Sequence, residues 1–552
     1  MSVARVANFL WKQSAKGDWR SFKAASKCAK QTQKQLLQSI LKHACPSQFA
    51  QRFGLSPDMS VEEFQNAVPI TDYSEFYSDF VHRIHQGDKQ VLTSQDVYRL
   101  VPTTGSSGKV KLIPYTQSLK KSFIRVVNTW IYDLACRYPQ AFHGKSYWSV
   151  TPVVQQTFKN GFVPIGFDSD EDYLSPIGRL SARLALIDAP SFASCEQADS
   201  VIGLTALKLL SEPDLSLISV WSPTLLLNIL NAIGSDQENL LRALSSGDAS
   251  FVTGLESESK VRFKRSPKRA RQIEQLMNSV ENRQSLAKSI WPRLSLISCW
   301  GDAGSRQYLE QLKKSEPAIV VQAKGLLSTE GCVSFPMGTA GGHVPAIEST
   351  FLEFLTESSS DETLLLDRLE MGQSYEVIMT TFGGLYRYRT GDQIKVIDFH
   401  EGLPCFEFIG RTNQVIDLVG EKVPLQVLQE VTSRCLEDGS GTERFWVVAP
   451  VSSTPAYYRF YVSGLSELAT LADEILLRLR QNPHFVNAES LGQMAKPEIR
   501  CLPDTFTIHS FHSLKSDIGS QLGALKESRI EYSARVVACL DRISQPLENY
   551  TI

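Results

Sequence analysis

The chain has 552 residues, with 57 basic and 59 acidic side chains and a formal net charge of −2. Its length predicts roughly two to four domains, and its 42% hydrophobic and 21% charged residues are typical of a folded globular protein. The balanced charge disfavours a general nucleic-acid binder, and ten cysteines without a C-x-x-C pair disfavour a zinc ribbon and favour reduced thiols in the cytoplasm.

The first predicted element is a helix at the N-terminus. Residues 1–27 have no apolar core of signal-peptide length, although they are basic and acid-poor before Asp18, which is a faint feature of transit peptides. We favour a surface helix that packs Val6, Phe9 and Leu10 inward.

Two further helices follow. Residues 27–55 show helical spacing of apolar side chains. Ser60 is placed to cap a helix, because Glu63 stands three residues later. The apolar positions of the earlier helix are Leu36, Leu37, Ile40, Leu41 and Ala44.

After Val101, strand-like runs alternate with helix-length segments, which predicts an α/β domain with a substantially parallel sheet. The predicted strands are Ser146–Val150, Ser216–Trp221, Leu294–Cys299, Ala318–Gln322, Phe351–Phe354 and Tyr375–Thr381. The apolar stretch Leu215–Gly234 contains a proline and several polar residues, so we interpret it as a buried strand and a helix that begins at Ser222. We expect no membrane span.

The pattern changes near residues 411–425. The elements predicted beyond that point are a helix (Pro424–Leu436), two strands (Phe445–Val448 and Tyr457–Ser463) and a long helix (Glu467–Asn482). They indicate a small α+β domain of roughly 130 residues, which is large enough for its own core. We therefore divide the chain into residues 1–420 and 421–552.

The basic run Lys260–Arg271 has seven basic residues in twelve. Its composition suits a nucleic-acid contact or a localisation signal. The flanking acids and the neutral charge of the whole chain favour a solvated helical face instead.

The segment Val101–Pro114 has the composition of a loop that wraps a polyphosphate. Glycines let backbone N–H groups approach an anion, while hydroxyls add donors and lysine adds charge. Its spacing is not that of a Walker A loop, and a Ser/Gly-rich turn without a ligand is the alternative. The residues concerned are Thr103, Thr104, Gly105, Ser106, Ser107, Gly108, Lys109 and Lys111.

Two turns follow predicted strands. In Gly325–Gly331, the hydroxyl of Thr329 and the carboxylate of Glu330 suit a metal-bound phosphate. A second turn begins with Gly301, Asp302 and Ala303. Ligand crevices in α/β sheets lie at the carboxyl ends of strands, so we expect both turns at one crevice.

Alternation in the segment Gly383–Asp392 predicts a strand from Leu385 that ends at Gly391-Asp392. The carboxylate of Asp392 suits two hydrogen bonds from a ribose diol, and a turn aspartate paired with an arginine is the equal alternative. Beyond it, Gly410-Arg411 and Gly420 are candidate pivots at the expected domain boundary, where hinges often lie.

The order and spacing of these motifs resemble the adenylate-forming superfamily of acyl-CoA synthetases, adenylation domains and luciferases. Leu-Tyr-Arg-Tyr-Arg-x-Gly-Asp (385–392) and Gly-Arg-x-Asn…Gly-Glu-Lys (410–422) are most similar to the Gretchen Hagen 3 family of acyl acid amido synthetases, in its bacterial type. The helix Gln31–Ala44 and Val-Pro-Ile-Thr-Asp-Tyr (68–73) fit as well. The resemblance implies a large adenylate-forming N-terminal domain and a small mobile C-terminal domain.

That family joins a carboxylic acid to an amino acid or amine at the expense of ATP. By position, the resemblance implies that Thr103–Gly108 hold the phosphates, assisted by Lys111. It places Thr329 and Glu330 against the α-phosphate and Mg²⁺.

The resemblance further implies that Asp392 binds the ribose hydroxyls, that Arg411 adds a contact near the hinge, and that Gly301–Ala303 lie along the adenine. Lys526 matches the late lysine that swings in for adenylation. Rotation of the small C-terminal domain about residues 411–422 would then move Lys526 out of the site and open the amine site.

The acyl pocket is predicted near the helix after the phosphate loop, with Ser122, Arg125 and Trp130 as candidates. A surface arginine is the alternative for Arg125. The lone histidines are taken as structural, and they are His343, His484, His509 and His512.

Two rival interpretations remain open. A ligase to CoA or to a carrier-protein thiol differs in its acceptor, and a non-enzymatic sensor would bind ATP without releasing pyrophosphate. No nucleic-acid or membrane partner is expected, and the acid, the amine and the oligomeric state are left open.

Overall fold

The structure is a computed structural model. It describes residues 2–73, 77–103, 111–148, 162–166, 176–187, 198–252, 263–278, 285–356, 362–411, 415–416, 418–419, 421, 423–425, 427–429, 432, 444–463, 468–490, 493–517 and 529–546.

Seventeen α-helices with defined bounds lie in this described part of the chain, and residues 425, 427–429 and 432 are helical as well. Ser60 caps one of them in a reciprocal box, since its Oγ accepts from the N–H of Glu63 at 3.2 Å and Glu63 accepts from the N–H of Ser60 at 2.7 Å, as predicted. The helices are α1 (Val3–Ala25), α2 (Ala29–Ala44), α3 (Gln48–Phe53), α4 (Val61–Ala67), α5 (Ser78–His85), α6 (Gln117–Arg137), α7 (Pro176–Ala185), α8 (Ala198–Leu210), α9 (Pro223–Ser235), α10 (Gln237–Ser246), α11 (Pro267–Asn278), α12 (Leu286–Ile290), α13 (Arg306–Ser315), α14 (Leu468–Leu479), α15 (Pro483–Ser490), α16 (Ile508–Asp517) and α17 (Ala534–Ile543).

Nineteen described strands form five sheets. The strands are β1 (Arg99–Thr103), β2 (Lys111–Tyr115), β3 (Lys145–Trp148), β4 (Leu215–Ser219), β5 (Leu296–Trp300), β6 (Val320–Lys324), β7 (Ser334–Pro336), β8 (His343–Pro345), β9 (Phe351–Leu355), β10 (Thr363–Leu364), β11 (Ser374–Thr380), β12 (Tyr388–His400), β13 (Leu403–Arg411), β14 (Val415–Ile416), β15 (Val423–Pro424), β16 (Trp446–Val451), β17 (Tyr457–Ser463), β18 (Glu498–Leu502) and β19 (Gln545–Pro546). In strand order, the sheets are a pair β1-β2, a parallel sheet β3-β4-β5-β6, a seven-stranded sheet β10-β9-β11-β12-β13-β8-β7, a pair β14-β15 and a four-stranded sheet β16-β17-β18-β19.

The six strands predicted after Val101 are confirmed as β3, β4, β5, β6, β9 and β11, with residues 149–150 outside the described part. The first four pair in parallel, as expected for strands joined by helices. The last two belong to the antiparallel seven-stranded sheet, so the parallel arrangement is limited to one sheet. The strand-then-helix interpretation of Leu215–Gly234 is also confirmed, because Ser222 caps α9 directly ahead of Pro223.

The predicted strand Leu385–Arg389 is wrong in its limits. β12 begins only at Tyr388 and continues through Gly391 and Asp392 to His400. The reason is Arg387, which has a left-handed backbone (φ +45°) and a side chain that is only 6% exposed. Its guanidinium pairs with the fully buried carboxylate of Glu353 at 3.2 Å.

Arg387 also ties an early helix to the seven-stranded sheet. Its Nη1 donates to the carbonyls of Gln65 and Val68, at 2.8 and 2.9 Å, at the end of α4. Glu353 accepts further bonds from Gln65 and Thr363. A buried ion pair is stable only when its remaining polar atoms are satisfied in this way.

Separate hydrophobic cores underlie the two parts of the chain. One core joins α1 and α2 to the seven-stranded sheet, and a second covers one face of the parallel sheet with side chains such as Ile218 and Ile297. A third core begins with Ile416, includes Leu418 at its border, and extends to Ile530. Side chains of the C-terminal part therefore form a core of their own, whose packing starts before residue 420.

The N-terminal helix exists, but its predicted inward face is wrong. Val6, Phe9 and Leu10 are 44%, 59% and 49% exposed, whereas Ala7 and Trp11 are buried. Small side chains allow α1 to lie close against α6 and α7, and the buried amide of Asn8 donates to the carbonyls of Phe142 and Gly144. The side of α1 that carries its alanines is therefore buried, because small side chains allow closer helix packing than Val6, Phe9 and Leu10 would.

The basic run is helical from Pro267 onward, and one of its arginines is not solvated. Arg269 is 8% exposed, and its guanidinium donates to the carbonyls of Leu210 and Ile290 at 3.1 and 2.8 Å. The predicted solvated face is wrong for this residue, which fastens α11 to α8 and α12. Among the described helices, none combines the length and apolarity that crossing a bilayer requires.

Candidate active site

The two predicted turns leave the same edge of the parallel sheet. β5 and β6 are neighbouring parallel strands, and their last residues, Trp300 and Lys324, are register partners. The turn that begins at Gly301 and the hairpin that carries Glu330 therefore both start at the carboxyl edge, where ligands bind in such sheets.

The hairpin presents Thr329 and Glu330 at its tip. Leu327 pairs with Cys332 across it, and the N–H of Ser328 donates to the carbonyl of Gly331 at 3.1 Å. The hydroxyl of Tyr115 donates to the carbonyl of Thr329 at 2.9 Å. The backbone of the tip is thus fixed while its side chains remain partly exposed.

Glu330 faces a group of charged and aromatic side chains. Lys111 Nζ donates to the hydroxyl of Tyr388 at 3.1 Å and lies 5.9 Å from the ring centre of Tyr73. Burial, followed by the charge of Glu330, raises the pKa of Tyr388, so this phenol stays protonated. Among the described residues, no hydrogen-bond partner is found for the carboxylate of Glu330.

Asp392 and Arg411 form the second half of this group. They face each other across β12 and β13, and Arg411 Nε donates to Asp392 Oδ1 at 2.6 Å. The charge of Asp392 raises the pKa of Arg411, and Glu330 adds to that effect. The sequence left two interpretations of Asp392 open, a ribose ligand and a turn aspartate paired with an arginine. The structure shows the pairing with an arginine, but Asp392 lies inside a strand and not in a turn.

The turn after β5 is built for close packing. A side chain at Gly301 would collide with Leu309 and Ala323, and Ala303 has a left-handed backbone with φ +48°. Asp302 is 6% exposed, and its Oδ2 accepts from the N–H of Phe408 at 3.1 Å. The turn is therefore fastened to β13.

His343 lies beside Asp302. Its Nδ1 is 3.6 Å from Asp302 Oδ2, and its Nε2 is 3.4 Å from the carbonyl of Ala323. Burial raises the pKa of Asp302, while His343, the Phe408 amide and Arg306 oppose that rise. The histidine that the sequence left as structural thus links the turn, β6 and β8.

Ser122 and Arg125 do not join this group. Ser122 is buried, and its hydroxyl donates to the carbonyl of Leu119 within α6. Arg125 is exposed and lies 3.8 Å from Glu348, which accepts a hydrogen bond from Ser21 of α1. Arg125 is therefore a surface arginine, which was the alternative to its assignment to the acyl pocket.

Several predicted site residues cannot be placed. Residues 104–110 and Lys526 lie outside the described part of the chain, and of Thr103 only the backbone is described. Their assignment remains a prediction.

Sequence reasoning missed a row of tryptophans at the same edge. Trp148 and Trp300 end β3 and β5, and Trp221 follows β4, with its carbonyl accepting from the N–H of Trp300 at 2.9 Å. Lys324, the last residue of β6, is 4% exposed, and its ammonium lies 4.5 Å from the ring centre of Trp221. Part of the signal was present in the sequence, since three of the six predicted strands reach or directly precede a tryptophan.

One helix covers this row. Trp130 of α6 donates to Gln322 Oε1 at 3.2 Å and lies 6.0 Å from the Lys324 ammonium. Behind it, the fully buried hydroxyl of Ser298 has no hydrogen-bond partner among the described residues. Aromatic rings, a cation and a hydroxyl without a described partner therefore share one sheet face next to the hairpin that carries Glu330.

Comparison with known proteins decides the family. The sequence matches the GH3 family N-terminal domain over residues 18–319 and the GH3 family central domain over residues 343–411. The chain belongs to the GH3 family.

Curated GH3 relatives are similar over most of their length. The indole-3-acetic acid-amido synthetase GH3.4 of Arabidopsis thaliana is 22% identical over 479 residues, which cover 81% of this chain and 79% of the relative. The jasmonoyl–L-amino acid synthetase JAR4 of Nicotiana attenuata is 23% identical over 476 residues, which cover 79% of each.

The GH3 fold is shared with a solved structure. AtGH3.15 acyl acid amido synthetase in complex with 2,4-DB superimposes with a TM-score of 0.79 over 97% of both chains, at 17% identity. The predicted family, the two-domain α/β fold class and the predicted enzyme class, an amide-forming ligase that acts through an acyl-adenylate, are confirmed. The bacterial type and the boundary at residue 420 remain predictions.

Proposed function

We propose that the group formed by Glu330, Lys111, Tyr388, Asp392 and Arg411 is the adenylation centre of this GH3 ligase. It would transfer AMP from ATP to a carboxylic acid with release of pyrophosphate, and the acyl group would then pass to an amino acid or amine. The observation that carries the proposal is the convergence of these side chains, from four separate segments, on the tip of one hairpin.

The charges suit the chemistry. A carboxylate becomes a good electrophile only as a mixed anhydride, and negative charge develops on the α-phosphate during transfer. Lys111 offers a cation that Tyr388 holds in place, and the N–H donors of the 103–108 loop would add to it. Loss of one such donor usually costs about 2.7–4 kcal/mol of transition-state stabilisation.

Glu330 is the residue that would hold Mg²⁺. Among the described residues, no group of three or more potential ligands could form a metal cage. Mg²⁺ is usually held by one or two carboxylates together with substrate phosphates, so a single carboxylate without a hydrogen-bond partner fits it. When bound, Mg²⁺ would supply charge neutralisation at the α-phosphate.

Asp392 and the turn at Gly301 would bind the nucleoside. The Asp392 carboxylate is oriented by Arg411 and retains a second oxygen for the ribose hydroxyls. Gly301, Asp302 and Ala303 would lie along the adenine, in a turn that packing and the Phe408 amide keep rigid.

The acid would bind at the tryptophan row rather than at Ser122 and Arg125. Trp130, Trp221 and Trp300 offer apolar faces, and Lys324 offers a cation at the same sheet edge as the hairpin. We propose that Lys526 acts in the adenylation step. Before the second step, the C-terminal body would rotate near residues 411–422, which would move Lys526 away and open the amine site.

A screen of carboxylic acids for ATP-dependent pyrophosphate release tests this proposal, followed by mass spectrometry of products formed with amino acids, amines or CoA. Pyrophosphate release with an amide product is the expected result. A thioester product would instead identify a CoA ligase. ATP binding without pyrophosphate release from any acid would identify a sensor and overturn the proposal.

A further inference from the structure

Two helices at one surface of the N-terminal part expose apolar side chains with the same spacing. α1 and α7 pack side by side through Ala4, Ala7 and Ala185. On each helix, the outward side carries large apolar residues at positions i, i+3 and i+7. These residues are Val3, Val6 and Leu10 on α1, and Ile177, Leu180 and Leu184 on α7.

Phe9 completes this set, which we call the α1–α7 surface. Val3 is 65% exposed and Leu180 is 62% exposed. Of the 17 large hydrophobic residues that are exposed in the described part of the chain, seven lie on these two helices. Scattered exposed hydrophobic residues are normal, whereas a contiguous group marks an interaction site.

The same two helices are strongly basic. Together they carry seven basic residues and one acidic residue, although the whole chain is nearly neutral. The acid, Asp18, accepts a hydrogen bond from Asn128 at 2.7 Å. The basic residues are Arg5, Lys12, Lys16, Arg20 and Lys23 on α1 and Arg179 and Arg183 on α7.

Four of these cations form a stripe along α1. Arg5, Lys12, Lys16 and Lys23 are spaced by 7, 4 and 7 residues and so lie on one side of the helix. Lys12 donates to the carbonyl of Ala135 and Lys23 pairs with Glu401, while Arg5 is exposed and Lys16 is half-exposed. A basic stripe thus runs beside the apolar stripe.

We propose that the α1–α7 surface binds the face of an anionic lipid bilayer. A helix with an exposed apolar stripe flanked by lysine and arginine lies in the plane of the interface, with its apolar side about 5–10 Å deep and its cations at anionic headgroups. This is peripheral binding: it departs from the expectation of no membrane partner, and it requires no membrane-spanning helix.

A second copy of the chain fits this surface less well. Homodimers are mostly two-fold symmetric, so the same patch meets itself, and cations such as Arg5 and Lys16 of one copy would lie near those of the other. An anionic surface removes that repulsion and covers the apolar side chains of both helices together.

Sedimentation of the full-length protein with lipid vesicles tests the proposal. One vesicle contains three parts phosphatidylcholine to one part phosphatidylserine, and the other contains phosphatidylcholine alone. The protein should sediment with the first vesicle and much less with the second, and added salt should weaken binding. Absence of binding to the anionic vesicle would overturn the proposal.

Two substitutions on different helices probe the apolar stripe. Leu10→Ser and Leu180→Ser should each weaken vesicle binding by about tenfold, since each removes buried apolar carbons. Leu477→Ser is the matched control, because Leu477 is 67% exposed on α14, away from this surface, and should bind as the unchanged protein does. Equal binding by all three variants would contradict the proposal.

A charge pair of variants completes the test. Arg5→Gln combined with Lys16→Gln should reduce binding to the anionic vesicle only, while Lys264→Gln on the exposed basic run should not. Solution pyrophosphate release should be unchanged in every variant, because none touches the proposed centre. If analytical ultracentrifugation shows a dimer that Leu10→Ser and Leu180→Ser dissociate, the surface is a self-association site and the proposal is wrong.

Discussion

Arg411 Nε donates to Asp392 Oδ1 at 2.6 Å, across the pair of strands that carries both residues. Asp392 has a side chain that is 2% exposed, whereas that of Arg411 is 24% exposed. Arg411 is also the last residue of β13 before the chain passes to the C-terminal body. The proposed ribose ligand and the start of the connecting segment are therefore held by one ion pair.

Asp392→Asn should weaken ATP binding. The amide cannot carry the charge that orients Arg411 and would accept only one strong hydrogen bond, and hydrogen bonds to charged groups are worth about 1.5–3 kcal/mol. We expect the KM for ATP to rise about tenfold or more, measured by pyrophosphate release. Asp367→Asn, which removes a surface ion pair with Lys30, is the control and should leave the KM unchanged.

Glu330→Gln should impair adenylation without unfolding the protein. The carboxylate is partly exposed and has no hydrogen-bond partner among the described residues, so stability does not depend on it. Loss of its charge at the metal and phosphate should reduce ATP–pyrophosphate exchange by about 10²–10³. Glu370→Gln, at an exposed position away from the site, serves as the control. Exchange near the unchanged rate would remove Glu330 from the centre.

Tyr388→Phe should release Lys111 from its hydrogen bond while keeping the buried ring. We expect kcat for pyrophosphate release to fall about tenfold or more, since a hydrogen bond to a charged group contributes about 1.5–3 kcal/mol. Tyr375→Phe is a matched control, because the Tyr375 hydroxyl is also buried and accepts from the N–H of Glu370 at 3.0 Å. An equal loss of activity in both variants would show a structural effect only.

Glu353→Gln should destabilise the fold. It leaves the guanidinium of Arg387 buried without its counter-ion, and breaking a buried pair costs about 3–5 kcal/mol. The free energy of unfolding in urea is the measurement. Glu376→Gln is the control, since its partner Arg389 is 41% exposed and the expected loss is smaller. If both variants lose the same free energy of unfolding, the buried pair of Glu353 and Arg387 contributes no more to stability than the exposed pair does.

His512 should make the C-terminal body sensitive to acid. Burial, then Lys515, His509 and Arg529, lowers the pKa of His512 from 6.5 to about 4. The folded protein therefore binds fewer protons than the unfolded chain, so this contribution to stability is complete above pH 6.5 and is lost as the pH falls toward 4.

Between pH 7 and pH 5 this residue should account for about 2 kcal/mol of lost stability. In His512→Gln, the free energy of unfolding should decrease less between pH 7 and pH 5 than it does in the unchanged protein. This difference does not depend on how stable the variant is at pH 7. His82→Gln, at an exposed histidine, should leave the fall as it is. An unchanged slope in His512→Gln would contradict the assignment.

Local signals in the sequence predicted local structure well. The Ser60 and Glu63 box and the Ser222-Pro223 helix start are decided within one turn of chain, so no distant contact was needed to find them. The four parallel strands were predictable because each is a short apolar run between helices.

Features that depend on distant contacts were not predictable. α1 has two apolar sides, and only the presence of α6 and α7 decides that the alanine side is buried. The start of β12 depends on Glu353, which stands 34 residues before Arg387. The tryptophan row becomes visible only once the strand order brings Trp221 beside Trp300.

The position at which the third core begins limits the rotation that we propose for the C-terminal body. Ile416 packs in that core. The carboxylate of Glu421 accepts hydrogen bonds from the N–H of Leu418 at 2.9 Å and from the hydroxyl of Tyr458 at 2.6 Å, which fixes the first residues of the core in place. Only four peptide steps separate Arg411 from Val415, and they span at most about 15 Å when fully extended. The connection between Arg411 and the third core is therefore short, so the rotation that we propose for the C-terminal body would have its axis close to Arg411.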